Sequence, residues 1–354
     1  MQVNTVLKIL LGLFALLGGW AAAAEPEPRP VAAVDISRYP EIRAYPQVFY
    51  DLDGRPGDFL EILRRHGINT IRLSLWVHPA DGHSSLEEVK AFAHELRQQG
   101  FRIWLAPHYS DTWADPGHQQ IPRAWQHLGF EALRDTVYRY TARVVREIHP
   151  DYIQIGNEIN NGFLHPYGHI QTHYAGFLAL AEACIGAVRD SAPETRILLH
   201  YAGLAGALEF FERVRPLDYD IIGLSYYPWW HGKSLDSLRL LLTRLSETFH
   251  KEILIAETAY LFTLAWNDWT HNIVGSPEQL ILPDFPATPE GQRRFVHEIR
   301  RIVVEVDRGL GFCYWGAELI AWKGPRATDA SPWENLALFD FENRALPVLL
   351  EFRP

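Results

Sequence analysis

The chain has 354 residues, 47% of them hydrophobic, enough for a large core in one barrel or two ordinary domains. Its formal charge of -10, with no basic run, argues against nucleic acid and anionic lipid as partners. Only two cysteines occur, Cys184 and Cys313, both in apolar contexts that suit small core residues, and no CxxC, HExxH or His-x-His spacing offers a metal site.

The N-terminus carries Lys8, an apolar block from Ile9 to Leu17, and small residues up to Ala24. This pattern predicts a secretory signal peptide over residues 1–24, cleaved after Ala24, and hence a secreted or periplasmic protein. The block is too short to span a membrane. Residues 25–30 (EPEPRP) read as a Pro-rich spacer, and residues 31–354 as one catalytic domain expected to act as a monomer. From there strand-like and helix-like segments alternate. Strands are predicted at Ala32–Ile36, Thr70–Val77, Ile103–His108, Tyr152–Gly156, Arg196–His200, Asp220–Tyr226, Ile253–Glu257 and Gly311–Trp315. Amphipathic stretches fall near Phe59–His66, Ser85–Gln99, Phe130–Ile148, Thr172–Asp190, Leu208–Val214, Leu235–Phe249 and Pro289–Val306. The alternation predicts an α/β fold, a single-domain (β/α)8 TIM barrel.

A barrel of this kind gathers the residues that follow its strands at one mouth. Those positions hold Asp35, Arg72 and Trp76, His108 to Asp111, Asn157 and Glu158, His200, Ser225 to Trp230, Glu257 and Trp315. Two segments stand out. In DYIQIGNEINNG (Asp151–Gly162) a short apolar strand is broken by Gly156 and opens on Asn157 and Glu158; in EILIAET (Glu252–Thr258) another ends in Glu257. A carboxyl at the mouth of a buried strand is partly out of water, which raises its pKa and suits a general acid. Two such carboxyls point to glycosidic cleavage, which needs a proton donor and a second carboxylate. Tryptophans in loop-like segments (Trp113, Trp125, Trp229, Trp230, Trp266, Trp269) suit the flat faces of sugars.

Asn-Glu after the fourth strand and Glu after the seventh resemble the clan A retaining glycosidases with (β/α)8 barrels. More narrowly, the chain resembles glycoside hydrolase family 53, the endo-β-1,4-galactanases. The resemblance lies in DLDGRPGDFLEILRRHGINTIRLSLWVHP, HYSDTWADPGHQQIPRAW, QIGNEINNG, DIIGLSYYPWWHG, IAETAYLFTLAWNDW, NIVGS and ATPEGQ, which run in family order from about residue 34 to the C-terminus. It implies Glu158 as acid/base and Glu257 as nucleophile, with β-1,4-galactan of pectin as the polysaccharide substrate and no cofactor. It further implies that Asn157 binds the hydroxyl beside the anomeric carbon, that Arg72 and one of Tyr226 and Tyr227 keep Glu257 ionised, and that Trp315 floors the cleavage point. Trp76, His108, Tyr109, Asp111, Trp113, Trp229 and His231 are implied as substrate-binding residues of the cleft.

Three positions depart from the family pattern: Ala106 where relatives usually carry Asp, Ser74 where a second arginine is common, and Gly316-Ala317 after Trp315 where relatives tend to have Glu-Pro. Some bacterial relatives bind calcium in the loop after the seventh strand. Here that loop offers Asp268, His271 and Asn272, few ligands for a cation that takes six to eight oxygens, so no metal is expected. A mannanase or glucanase of the same clan would share the acid pair, and a non-catalytic carbohydrate-binding barrel would share the scaffold.

Overall fold

Period-two alternation along each strand accounts for both the core and the site. In a computed structural model describing residues 30–353, eight parallel strands close into a barrel in sequential order. They are β1 (Val31–Asp35), β2 (Thr70–Leu75), β3 (Arg102–Pro107), β4 (Tyr152–Gln154), β5 (Arg196–Ala202), β6 (Ile221–Ser225), β7 (Glu252–Thr258) and β8 (Gly309–Trp315). Alternate residues face the interior. Towards the N-terminal ends of the strands these are Val31, Ala33, Trp104, Tyr152, Leu198, Ile221, Leu254, Ala256 and Cys313, which form one packed apolar plug. Further along the same alternation stand Asp35, Arg72 and Ser74, Gln154, His200, Ser225 and Trp315, so the interior turns polar at the C-terminal mouth. The expected signal peptide (1–24) and residues 25–29 of the expected spacer lie outside the described residues.

Among the described residues, seven helices of seven residues or more cover the barrel: α1 (Phe59–Arg65), α2 (Leu86–Gln98), α3 (Phe130–Ile148), α4 (Tyr174–Ser191), α5 (Ala207–Arg213), α6 (Leu235–Phe249) and α7 (Pro289–Glu305). Their starts are set locally. Asp58, Ser85, Ser234 and Thr288 each cap a first turn by accepting from the backbone N–H three residues on. The eighth helical position is a 3₁₀ segment, Pro347–Phe352, which packs beside α7 and brings Phe352 onto Phe312 of β8. Both thiols are free and buried. No helix among the described residues is long and apolar enough to cross a membrane.

Two local irregularities aim the glutamates. Register between β6 and β7 slips by one residue, so that Leu224 faces Ile255 while Ser225 faces Glu257. Leu254 and Ala256 already face inward, and strict alternation would turn Glu257 away; the extra residue, a β-bulge, returns it to the mouth. At the other strand, Gly156 sits at φ +75°, and a Cβ there would lie 2.5 Å from Cγ2 of Ile159. Glu158 itself is at φ +48°, the left-handed region that non-glycine residues rarely occupy and that tends to cluster at functional sites.

Candidate active site

At the mouth lies a cleft of about 820 Å³ whose floor holds Glu158 and Glu257. A carboxylate oxygen of each and a ring nitrogen of His200 lie within 4.8 Å of one another. The two glutamates are held in different ways. Glu257 forms an ion pair between Oε1 and Arg72 Nη2 at 2.7 Å, and its Oε2 accepts from the Tyr227 hydroxyl at 3.0 Å. Arg72 is fully buried, bonds Asp35 through Nη1, Asn157 Oδ1 through Nη2 and Gln154 Oε1 through Nε, and lies over the Trp104 ring. Its single charge therefore stands between two carboxylates, and their fields hold its proton firmly.

Glu158 has no cation in contact. Its Oε1 accepts from Ser225 Oγ at 2.6 Å. Ser225 in turn is 2.9 Å from His200 Nε2, while His200 Nδ1 accepts from the backbone N–H of Glu158 at 3.3 Å. Burial keeps His200 neutral, far below its ordinary value. His200 Nδ1 also lies 3.1 Å from Asn157 Oδ1, so Asn157, His200, Ser225 and Glu158 form one hydrogen-bonded chain whose inner donors are set by the His200 tautomer. Burial, followed by the charge of Glu257, pushes Glu158 up to about 8 against the opposing pull of Ser225 and Arg72. Burial also raises Glu257, but Arg72 and Tyr227 bind its charged form. Burial and the charge of Glu257 favour the proton on Glu158, while Arg72 and Tyr227 favour the charged form of Glu257.

Of the residues expected on the cleft wall, Trp76, Trp113, Tyr227, Trp229, His231 and Trp315 line it. Trp315 stands edge-on to Trp113 at 5.9 Å and to Trp333 at 5.3 Å, and Trp333 continues to Trp230 at 6.0 Å. Six expected residues do not line it, and one of them is Arg72, fully buried behind Glu257. Tyr109, at φ +50°, turns into the core, where its hydroxyl is hydrogen-bonded with Thr141 and its ring packs on Phe163. Tyr226 points down the opposite face from Tyr227 and donates to the Gly232 carbonyl, so Tyr227 alone of the two holds Glu257. Asp111 accepts from the backbone N–H groups of His78 and Arg123 and braces two loops. His108 is buried edge-on beneath Trp113, with Nδ1 taking the Ala114 N–H. Asn157 is fully buried; its Oδ1 receives Arg72 and Gln154, and its Nδ2 donates to the Ala114 carbonyl. It positions Arg72 from behind the wall.

The departures from the family pattern also find places. Ser74 and Ala106 are register partners on β2 and β3, so the arginine and aspartate common in relatives would be neighbours, and here both are replaced together. Gly316 follows Trp315 at φ +79°, and an acid appears two positions later, at Glu318. Glu318, Trp322 and Trp333 line the cleft and escaped the sequence reading, although an acid inside the run Ala317-Glu318-Leu319-Ile320 is itself the signature of a buried carboxyl. In the loop after β7, Asp268 and Asn272 are buried with Oδ2 and Oδ1 unpaired, and Glu334 adds an unpaired Oε2, while the His271 ring packs on Trp266. Three side-chain oxygens are about half of a calcium shell. No step below depends on a metal at this loop.

The cleft is bordered by polar atoms that lack protein partners: Ser74 Oγ, Trp76 Nε1, Trp229 Nε1, Glu318 Oε2 and Trp322 Nε1. Buried polar groups are normally paired, so donors and acceptors set among indole rings mark a surface made for a hydroxyl-rich ligand.

Comparison with known proteins gives the family. The sequence profile of glycosyl hydrolase family 53 matches residues 31–352. An arabinogalactan endo-β-1,4-galactanase of Cellvibrio japonicus is 32% identical, the match covering 98% of this chain and 96% of the relative. The solved family 53 catalytic domain of Ignisphaera aggregans superposes with a TM-score of 0.86 at 38% identity, covering 91% of this chain and 94% of that one. A fungal β-1,4-galactanase structure gives a TM-score of 0.77 at 28% identity, covering 90% and 98%. The chain belongs to glycoside hydrolase family 53 and is a glycoside hydrolase.

Proposed function

We propose that this enzyme is a retaining endo-β-1,4-galactanase that cuts galactan side chains of pectin, exported by the signal peptide read in residues 1–24 to the periplasm or the medium. The observation that carries the reading is the asymmetric pair on the cleft floor: one carboxyl is bound to Arg72 and Tyr227, and the other meets the Ser225 hydroxyl with no cation in contact. Their oxygens lie within 4.8 Å, close to the about 5–5.5 Å of retaining pairs and short of the about 6.5–9.5 Å that admits a water in inverting ones.

In this mechanism Glu257 attacks the anomeric carbon while Glu158 gives its proton to the departing glycosidic oxygen, and a galactosyl ester forms on Glu257. The ester carries no charge, so the repulsion that raised Glu158 disappears. Glu158, now a carboxylate, takes a proton from water, which attacks the ester and releases a sugar of the original configuration. Asp35, Gln154 and Asn157 hold Arg72 in place throughout. An open cleft walled by Trp113, Trp315, Trp333 and Trp230 suits internal stretches of a chain and hence endo cleavage.

Reducing ends released from β-1,4-galactan, β-1,4-mannan and cellulose, measured side by side, test the substrate. Galactan is expected to be cleaved with mannan and cellulose at background; preferential release from mannan or cellulose overturns the galactan assignment.

A further inference from the structure

One buried carboxyl in the cleft has no part in this mechanism. Glu318 follows β8 in the loop Gly316–Trp322, is 2% exposed and lines the cleft on the side formed by β1 and β8. Its Oε1 accepts the Arg38 backbone N–H at 2.9 Å, which fixes the carboxyl, and its Oε2 has no partner. A buried carboxyl oxygen left unpaired is destabilising, and such an atom usually has a ligand or a structural role. The Arg38 bond supplies a structural reason for Oε1 only. In the same loop Trp322 is buried on the cleft with its indole Nε1 also unpaired.

We propose that Glu318 is a specificity-determining residue, its Oε2 hydrogen-bonding a hydroxyl of a galactosyl unit that lies over β1 and β8, to one side of Glu158 and Glu257. The assignment rests on the galactan reading above. The charges facing Glu318 are Asp35 on β1, which opposes its ionisation, and Arg38 in the following turn, which favours it. Burial, aided by Asp35, raises the Glu318 carboxyl to about 8, so at neutral pH it is an acid able to donate as well as accept. A sugar seated on it excludes more water, which favours the neutral form further. Binding is therefore coupled to proton uptake near and above pH 8.

The test uses Glu158→Gln as parent, in which loss of the general acid slows cleavage and position 158 no longer titrates, with β-1,4-galactotetraose as ligand in a calorimeter. Glu318→Leu is expected to weaken binding by about tenfold, the loss of one net hydrogen bond. Glu318→Gln, which keeps a donor and the acceptor for Arg38, is expected to stay within about threefold. In buffers of differing ionisation enthalpy at pH 8, the parent is expected to take up protons on binding, and Glu318→Gln to take up none. Unchanged affinity in Glu318→Leu overturns the proposal. So does persistent proton uptake in Glu318→Gln, a readout that stands even if the leucine variant fails to fold. A parent that does not bind galactotetraose overturns the galactan reading and this proposal with it, whereas binding indifferent to position 318 overturns this proposal alone.

Discussion

Glu257→Ala is expected to lower turnover on β-1,4-galactan by about 10⁴-fold or more, because no other group on the cleft floor can take the anomeric carbon. Glu158→Ala is expected to cost about 10²–10⁴-fold, the usual range for a lost general acid. The two variants separate by what azide does to them. In Glu158→Ala the galactosyl ester still forms, and azide attacks it to give the β-galactosyl azide. In Glu257→Ala azide enters the space of the lost carboxylate and gives the α-azide. Products in the reverse order would exchange the two roles. A milder change reads the coupling directly. In Glu257→Gln the charge that helps raise Glu158 is gone, so the Glu158 carboxyl, followed by NMR on labelled protein, is expected to titrate below the value of about 8 that the intact pair gives it. An unchanged value would assign the whole shift to burial.

The second large effect falls on stability. Arg72→Leu is expected to lower the folding free energy by about 3–5 kcal/mol at neutral pH, read as a fall in the denaturation midpoint. The guanidinium is fully buried between Asp35 and Glu257, and its removal leaves both carboxylates without a cation, Gln154 Oε1 without its donor and Asn157 Oδ1 with Gln154 in place of two donors. Leucine fills volume but satisfies none of them. The sign with pH follows from Glu257. Without Arg72 its folded-state pKa rises further above the unfolded value, so the penalty is absent below the unfolded carboxyl pKa and grows as pH increases through and beyond it. The difference between wild type and variant should therefore shrink towards pH 4. A loss under about 1 kcal/mol at neutral pH would mean that the site does not depend on this ion pair.

Much of the architecture was legible because a parallel barrel leaves a strong mark. Its strands are buried on both faces and read as short apolar runs, and their exits carry the polar residues. All eight strands and seven helices lie within a few residues of their predicted ends. The eighth helix had no amphipathic signal, and that position holds a 3₁₀ turn. What the sequence conceals is direction. Tyr226 and Tyr227 are neighbours of one type, and only the strand pleat decides which reaches Glu257. Alternation alone would have sent Glu257 the wrong way; the bulge that corrects it has no mark in EILIAET. Tyr109 leaves the mouth because its backbone turns left-handed, a choice invisible in HYSDTW. The far loops were hardest. Trp322, Trp333 and Glu318 reach the cleft through a long excursion after β8 whose path no local period encodes.

The central claim is a double displacement on β-galactan by Glu158 and Glu257, and stereochemistry tests it most directly. Proton NMR of β-1,4-galactan digested in D₂O, recorded in the first minutes before mutarotation, identifies the anomer released at the new reducing end. The β anomer is expected first, with α growing in only as the sugars equilibrate. An α anomer appearing first would contradict the account, because it would require water, not Glu257, to attack the anomeric carbon.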